Sequence, residues 1–526
     1  METVLQLPTS ASQLPELNKG ISRFQYEQHA PTRDITNESF PKGAIHTRFE
    51  ISGTKRWVPS KSYIRMRCTL TKNGGTTQLE SADDVAPTMG LMSNLFQSGE
   101  FRIADKTVSR IGDYMPQVDA LRVRTTKSRA WLESTGKSAN MWEADAKDRR
   151  EKVSSDGQDI KKVGAYEMTS RLQLGHSGLT TVGIAVTGVA TFAVGNNPDT
   201  DTIFVAGDEI EIDYGGAVGT VRHHISAVPA GSKTLQLNHI THIVQVAAAV
   251  EFRRYRKVVS NSRRVKEFEL VWQPPLSIFS VEQALPAGKY ELTLNPQIAS
   301  AYKTRVVESL IDNRTLAADF DFNVKDMYLY TATLESTRVD DLTYMIDLDE
   351  VRCQTEDAKG SNFPQKNFDV SPSTYALTCA FQEASAGSDT LYSASKLKSR
   401  NDEDLNLTRL FLSYGGSSRP PIDADPEYLP GSAKDYTTQR YSDSLLQSGQ
   451  YFQEGGSETI EEWQKRGPYY HFNWPRSGQD RSTRAQVNFQ FSTLTSSRVL
   501  MFDWYRSIAT IMVKNSRVVD VRITDA

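Results

Sequence analysis

The sequence predicts an all-β protein built from two antiparallel eight-stranded jelly rolls side by side, with a small β-domain inserted in the first. The prediction comes from short segments of alternating apolar and polar residues, from glycine and proline turns between them, and from an aromatic repeat found once in each half of the chain. At 526 residues the chain exceeds what one hydrophobic core usually supports, so at least two domains are expected.

The strand signals follow a polar, proline-containing stretch at residues 1–45, which we interpret as an extended N-terminal arm. Segments 46–51 and 63–70 then alternate between apolar and polar residues, and Gly74 and Gly75 supply a turn. Neighbouring side chains of a strand point to opposite faces, so the alternation predicts one buried face. In the second segment this face consists of Ile64, Met66, Cys68 and Leu70.

An internal repeat divides the remaining chain into two halves. Residues 268–274 alternate aromatic and apolar side chains around Trp272 and end in proline, and residues 470–475 repeat the pattern around Trp474. A second alternating strand follows each of these segments. We therefore expect two similar β-domains in which the two tryptophans occupy equivalent places.

The halves differ in the interval between a tyrosine-bearing helical stretch and the tryptophan. This interval runs from Tyr114 to Trp272 in the first half, but only from Tyr441 to Trp474 in the second. A β-rich block with closely spaced glycine turns accounts for most of the excess. We predict an arm at 1–45, a first jelly roll at 46–318 carrying the insertion 172–258, and a second jelly roll at 319–526.

Charge and composition argue against several classes of protein. A net charge of −3 gives the surface as a whole little attraction for nucleic acid. Cys68, Cys353 and Cys379 lie far apart and outside any metal-ligand spacing, so we expect buried free thiols. No apolar run reaches the ~18 residues of a membrane-spanning helix, and the N-terminal residues lack a leader pattern, so secretion by a cleaved leader is not expected.

Candidate metal ligands are confined to four histidines of the insertion, His223, His224, His239 and His242. A zinc site needs three or four donors that converge on one point. Strand alternation separates neighbouring side chains, so these donors are hard to bring together. Solvated or hydrogen-bonded histidines are therefore the favoured interpretation, and we predict no metal site.

Catalytic motifs are equally scarce. The nucleophile elbow, the phosphate-binding glycine loop and the zinc-protease helix motif do not occur in the sequence. Asp402 and Asp404 could form the acid pair of a glycosidase, but they lie in a mixed-charge stretch typical of a solvated loop. We predict that the chain is not an enzyme, and that it has no catalytic residue and no cofactor.

Several segments carry a resemblance to a known family. They are residues 57–64 with their Trp57-Val-Pro start, residues 95–108, and residues 276–279 together with 285–288. These segments and the closing strands resemble the double jelly-roll major capsid proteins of the adenovirus hexon-like lineage, nearest to polinton-like viruses and virophages. The resemblance extends over most of the chain except residues 134–258.

The resemblance implies a homotrimer whose pseudo-hexameric capsomers tile an icosahedral shell around double-stranded DNA. The implied partners are other copies of the chain, penton proteins and minor capsid proteins, with genome contact at most indirect and internal-membrane contact left open. The implied location is the virion, and the insertion 172–258 is expected to project outward as a tower. Two alternatives from other classes are a β-rich carbohydrate-binding fibre or adhesin and a sandwich-fold glycoside hydrolase.

Two groups of basic residues allow two interpretations. An inward surface could contact the genome, a membrane or a minor protein. We favour solvated strand edges and salt bridges within a trimer. The residues concerned are Arg122, Arg124, Lys127 and Arg129 in the first group, and Arg253, Arg254, Arg256, Lys257, Arg263, Arg264 and Lys266 in the second.

Overall fold

The three-dimensional structure is a computed structural model. The residues that it describes are 21–35, 37–72, 77–78, 85–87, 90–136, 139, 169–176, 181–184, 189–192, 209–213, 220–227, 234–237, 245–246, 252–259, 267–297, 307–309, 320–336, 342–358, 365–383, 397, 407–419, 437–449, 456–465, 467–474, 483–491 and 497–525. Strands dominate these residues, and the helices are short.

The first part of the chain contains β1 (Ile21–His29), β2 (Ile45–Ile51), β3 (Lys55–Lys72), β4 (Thr77–Gln78), β5 (Val85–Pro87), α1 (Leu91–Asn94), β6 (Phe96–Ile103), β7 (Lys106–Ile111), α2 (Met115–Thr126) and α3 (Arg129–Glu133). The insertion contains β8 (Thr169–His176), β9 (Thr181–Ile184), β10 (Val189–Phe192), β11 (Glu209–Asp213), β12 (Thr220–Ala227), β13 (Thr234–Leu237), β14 (Gln245–Val246) and β15 (Phe252–Val259).

The first roll then ends with β16 (Glu267–Trp272), β17 (Gly288–Pro296), β18 (Val307–Ser309) and β19 (Phe320–Ser336). The second roll contains β20 (Thr343–Asp357), β21 (Gln365–Asp369), β22 (Thr374–Glu383), β23 (Leu407–Tyr414), β24 (Ser417–Arg419), α4 (Thr437–Gln447), α5 (Ile460–Lys465), β25 (Tyr469–Asn473), β26 (Arg484–Phe491), β27 (Ser497–Lys514) and β28 (Arg517–Asp525). Two 3-10 turns are formed by Asn37–Lys42 and Ser277–Ser280.

The first jelly roll consists of two facing antiparallel sheets. One sheet, here called the β1 sheet, has the order β1-β19-β3-β16, and the other has the order β2-β17-β6-β7. Apart from the β6–β7 hairpin, successive strands of this order lie in opposite sheets, and the last strand lies between the first and the third. This is the strand order of a jelly roll.

The second jelly roll repeats this arrangement. The β20 sheet has the order β20-β27-β22-β25, and its facing sheet has the order β21-β26-β23-β24. Each of the eight strands in the two facing sheets of the first roll therefore has a counterpart at the same place in the second, with β1 corresponding to β20 and β19 to β27. The predicted all-β double jelly-roll fold is confirmed.

The insertion lies in the connection between β7 and β16 of the first roll. Its strands form one eight-stranded sheet in the order β14-β9-β10-β13-β12-β11-β15-β8. The counterpart connection of the second roll, between β24 and β25, carries α4 and α5 instead. The first roll therefore has a sheet of its own in this connection, and the bounds 172–258 remain a prediction.

The two tryptophans of the sequence repeat occupy equivalent places, as predicted. Trp272 ends β16, and Trp474 directly follows β25, its counterpart strand. Trp272 stacks on Phe96 at 5.6 Å between ring centroids. Trp474 packs edge-on against Tyr414 at 6.1 Å. Phe96 belongs to β6 and Tyr414 to its counterpart β23, so each tryptophan contacts an aromatic ring of the corresponding strand in the facing sheet.

Two predicted boundaries are wrong. Ile21–His29, assigned to the arm, forms β1 and pairs with β19. Phe320–Ser336, assigned to the second roll, is β19, which lies between β1 and β3 of the first roll. Both errors have the same cause, because the first and last strands of a jelly roll are neighbours in space but distant in sequence. The first roll thus spans 21–336 and the second 343–525 in the described residues.

The buried apolar residues of the two rolls form one contiguous cluster. In the first roll Trp57 stacks on Phe101 at 5.0 Å, and in the second Phe381 packs edge-on against Phe489 at 5.5 Å. All three cysteines are buried, as predicted, and burial raises the pKa of each thiol. Among the described residues, no helix is long and apolar enough to cross a membrane.

Candidate functional site

The contact between the two rolls centres on α2, which belongs to the first roll and packs against β20 of the second. Tyr114 precedes this helix with a left-handed backbone, at a φ of 59°. Such a φ is costly for a bulky residue and persists only where other contacts fix it. The Tyr114 hydroxyl hydrogen-bonds to Thr355 Oγ1 of β20 at 2.8 Å. The start of α2 is thereby tied to the second roll.

Arg124 of α2 forms the most deeply buried ion pair of this contact. Its Nε and Nη2 donate to the two carboxylate oxygens of Glu458 at 2.8 and 2.9 Å. The two side chains are only 7% and 3% exposed. The guanidinium also lies 4.8 Å from the ring centroid of Tyr469. A bidentate ion pair that is buried in this way fixes the relative position of the rolls, because losing either partner leaves an unpaired buried charge.

Neighbouring basic residues add further contacts. Arg129 Nη1 donates to Glu462 at 2.6 Å, and Arg122 Nη2 donates to the backbone oxygen of Asp349 at 2.5 Å. Lys127 lies 5.3 Å from the ring centroid of Trp131. Burial lowers the pKa of both Arg122 and Lys127. This corrects our interpretation of the first basic group, since Arg124 and Arg129 form ion pairs between the rolls of one chain.

A second contact lies beside the first, where the Ser277–Ser280 turn meets β20. The Ser277 hydroxyl donates to the carboxylate of Glu350, and the Ser277 backbone N–H donates to Ser109 Oγ at 3.0 Å. Glu350 is buried, and burial raises the pKa of its carboxyl. Hydrogen bonds from Ser277 satisfy this buried acid, as buried polar groups require.

A third contact comes from the C-terminal hairpin of β27 and β28. The Val518 N–H donates to the Ala287 carbonyl at 2.9 Å. A Cβ atom at Gly288 would lie 3.0 Å from Val518 Cγ2, so the close approach leaves no room for a side chain. Arg56 Nη2 donates to Ser516 Oγ at 3.3 Å in the same region. The β27–β28 hairpin therefore packs against the first roll.

A cleft of about 1250 Å³ opens between α2 and the second roll. Trp131, Trp272, Trp474 and Trp504 are among the residues that line it. His471 also lines it, and burial lowers the pKa of this ring to about 4. Its Nδ1 is hydrogen-bonded to Thr378 Oγ1 at 2.8 Å, so the imidazole is held by the sheet. Such a ring is a structural group rather than a general base.

The outward sides of the β1 and β20 sheets, which face away from their own sandwich cores, differ in exposure. On the β20 sheet this side includes Val351, Phe502 and Trp504, all buried, and α2 lies over it. On the β1 sheet Phe24 is 45% and Tyr26 48% exposed. The uncovered side is here called the outer aromatic face, and its members are Phe24, Tyr26, Tyr63, Tyr328 and Tyr330.

Sequence reasoning missed this face because Phe24 and Tyr26 were assigned to the arm. A usable signal was present: residues 23–27 alternate polar and aromatic side chains, a strand pattern with aromatic residues on one side. The partners Glu458 and Glu462 could not be found in this way. They lie more than three hundred residues from Arg124 and Arg129, separations of 334 and 333.

Other candidate residues cannot be placed in a site. His239, His242, Asp402, Asp404, Arg263, Arg264 and Lys266 lie outside the described residues, as do the side chains of His223, His224, Arg253, Arg254, Arg256 and Lys257. Within the described part of the chain, no three His, Cys, Asp or Glu residues gather closely enough to hold a metal ion.

Comparisons with known proteins were made for sequence and for structure. No family model and no curated protein matches the sequence. Among solved structures, that of the Sputnik virophage is 10% identical over all of this chain and 94% of that chain, with a TM-score of 0.48. The mavirus major capsid protein is 10% identical over all of this chain and 96% of that chain, at 0.41. The Faustovirus major capsid protein is 10% identical over 96% and 93%, at 0.43.

Proposed function

We propose that this chain is a viral major capsid protein that assembles into homotrimers, and that the trimers tile an icosahedral shell around double-stranded DNA. One observation carries the proposal: two complete jelly rolls of identical strand order are fused into one rigid unit by buried contacts. A pair of equivalent blocks in one chain gives six blocks in a trimer, which is the outline needed to fill a hexagonal position in a shell.

The proposed role is structural rather than catalytic. Buried titratable groups such as Glu350 and His471 are engaged in hydrogen bonds within and between the rolls. Large sheet faces and a rigid double unit suit a protein whose contacts with neighbours add up over many subunits. Penton and minor capsid proteins are the further proposed partners, the virion is the proposed location, and the insertion 172–258 is proposed to project outward.

Electron microscopy of the purified chain tests this proposal. We expect trimers with hexagonal projections, and closed or partial shells at high protein concentration. An elongated shaft would favour the fibre or adhesin alternative instead, and a monomer at all concentrations would contradict a capsid role. The orientation of the insertion is tested in the same images, because a module on the inner side of a shell would contradict an outward tower.

A further inference from the structure

The β1 sheet of the first roll and its counterpart, the β20 sheet of the second roll, differ in what covers their outward sides. The first roll's helix α2 covers the outward side of the β20 sheet within the chain. The second roll has a counterpart helix, α4, in the counterpart connection between its strands. Its Leu446 is 41% exposed. The chain therefore carries an exposed apolar helix residue and an exposed sheet side, in the same kinds of element that meet between its own rolls.

We infer that the outer aromatic face binds a second copy of this chain, through the α4 helix of that copy. The inference rests on the proposed self-assembly and names the surfaces that carry it. The contact within the chain is the model for this inference. Within one chain, the helix α2 of the first roll lies on the β20 sheet of the second roll. Between two chains, the helix α4 of the second roll would lie on the β1 sheet of the first roll. Repeating one kind of contact around a ring requires no new type of interface.

The outer aromatic face is already organised in the single chain. Phe24 packs edge-on against Tyr26 at 5.5 Å between ring centroids, and Tyr26 lies 5.7 Å from Tyr63. Tyr63 in turn stacks on Tyr330 at 5.3 Å. A row of rings held by its neighbours loses little side-chain freedom when a partner covers it. Tyrosine and phenylalanine are also enriched at protein interfaces.

Buried apolar residues lie beside the exposed rings. Cross-strand partners in an antiparallel pair share one side of the sheet. Phe24 is opposite Leu334 and Tyr26 is opposite Ala332, and both partners are buried in a small cluster separate from the main core. The exposed rings are therefore the edge of a wider apolar patch, rather than isolated surface aromatics.

An arginine borders the outer aromatic face. The Arg65 guanidinium lies 5.5 Å from the ring centroid of Tyr328, and 5.7 Å from that of Tyr330. It is also within 3.5 Å of carboxylate oxygens of Glu269 and Asp326, which balance its charge within the chain. Arginine at an aromatic face is typical of interface hot spots.

The inferred contact is heterologous: each copy places its helix on one neighbour and receives the helix of another neighbour on its sheet side. A head-to-tail contact of this kind forms a ring when its rotation closes. A Tyr26→Cys, Leu446→Cys double variant tests this with a short flexible bismaleimide. The natural cysteines are buried, so they do not compete for the reagent.

We expect the double variant to give covalent dimers and trimers on a denaturing gel, and each single variant to stay monomeric. Cross-linked dimers from Tyr26→Cys alone would mean that two outer aromatic faces meet each other, which contradicts the inference. A monomer with altered mobility in the double variant would mean that the chain covers its own face, and would also contradict it.

A charge-insertion variant tests the same surface without a cross-linker. Phe24→Glu with Tyr26→Glu is compared with Met345→Glu with Val519→Glu, which alters two apolar residues that are 64% and 58% exposed on the second roll. We expect the first variant to raise the concentration needed for half-assembly on the order of 30-fold or more, and the control to leave it unchanged. Thermal melting of both variants verifies that each is folded.

The outcomes separate this inference from the proposed function. If the wild type forms trimers and the Phe24 and Tyr26 variant assembles equally well, the inferred surface is wrong while the capsid proposal stands. If the wild type never assembles, the capsid proposal itself fails. If the variant and the control both lose assembly to the same extent, exposed apolar residues act without specificity and the inferred surface is again wrong.

Discussion

The β1 sheet and the β20 sheet have the same strand order but differ in what covers their outward sides. Trp504 of the β20 sheet is 6% exposed under α2, whereas Tyr26 of the β1 sheet is 48% exposed. The covered side carries apolar residues such as Val351 and Phe502, and the uncovered side carries tyrosines and Arg65. The outward side of one sheet thus forms a buried contact within the chain, and the outward side of its counterpart exposes aromatic residues of the kinds that are enriched at interfaces.

The comparison also explains why charges are buried at the internal contact. Arg124 and Glu458 are shielded from water, so each charge needs the other as its partner. Such a buried pair suits a contact that stays closed. On the outer aromatic face the ion pairs remain accessible, as between Arg67 and Asp326. A surface that is exposed before assembly has to remain compatible with water.

The largest effect is expected from breaking the internal contact. Arg124→Ala leaves Glu458 as an uncompensated buried charge, and should lower the free energy of unfolding by about 3–5 kcal/mol. Denaturant titration measures this change. The control is Arg522→Ala, which removes an exposed ion pair with Asp520 and should change stability by less than about 0.5 kcal/mol. Equal effects from the two variants would show that the Arg124 pair does not hold the rolls together.

A similar effect is expected from the covered sheet side. Trp504 is buried and its indole Nε1 donates to Thr378 Oγ1 at 2.8 Å. Trp504→Ala removes a large buried side chain and leaves this hydroxyl without its donor, so stability should fall by about 3–5 kcal/mol. A loss below about 1 kcal/mol in the same titration would mean that the side chain is exposed and α2 does not cover it.

The covered side should also respond to pH. Burial lowers the pKa of His471 from 6.5 to about 4, so the folded chain favours the neutral ring. Its contribution to stability is complete above pH 6.5 and is lost as the pH falls from 6.5 toward 4. Relative to His471→Gln, the wild type should lose about 1.4 kcal/mol per pH unit there, up to about 3 kcal/mol in total. Parallel stability curves for the two proteins between pH 4 and 7 would contradict a buried neutral ring.

The smallest effect on stability is expected from the uncovered side. Tyr26→Ala should change the free energy of unfolding by about 0.5 kcal/mol or less under conditions where the chain is monomeric, because an exposed side chain loses few contacts. The same substitution should weaken assembly. A large destabilisation of the monomer would show that Tyr26 is part of the core of the first roll and would remove the contrast between the two sheets.

The sequence predicted the elements that have local signals. Alternation identified β3 and β16, and the aromatic repeat placed Trp272 and Trp474 in equivalent strands because each copy keeps the same contact across its sandwich. A short polar turn joins β27 and β28, where Asn515 and Ser516 have positive φ. These features depend on neighbours in the sequence.

Long-range pairing could not be predicted in the same way. β1 and β19 were assigned to the wrong segments because their partners lie about three hundred residues apart. The internal contact was missed for the same reason, since no residue near Arg124 in the sequence indicates that Glu458 is its partner. The basic group around α2 was therefore interpreted as a surface feature, although Arg124 is buried between the rolls.

Native mass measurement of the purified wild-type chain tests the central claim most directly, which is that the chain assembles with other copies through the outer aromatic face. We predict a particle of three copies that dissociates when Phe24 and Tyr26 are both replaced by glutamate. A wild-type chain that remains a single copy over the whole accessible concentration range would contradict the account.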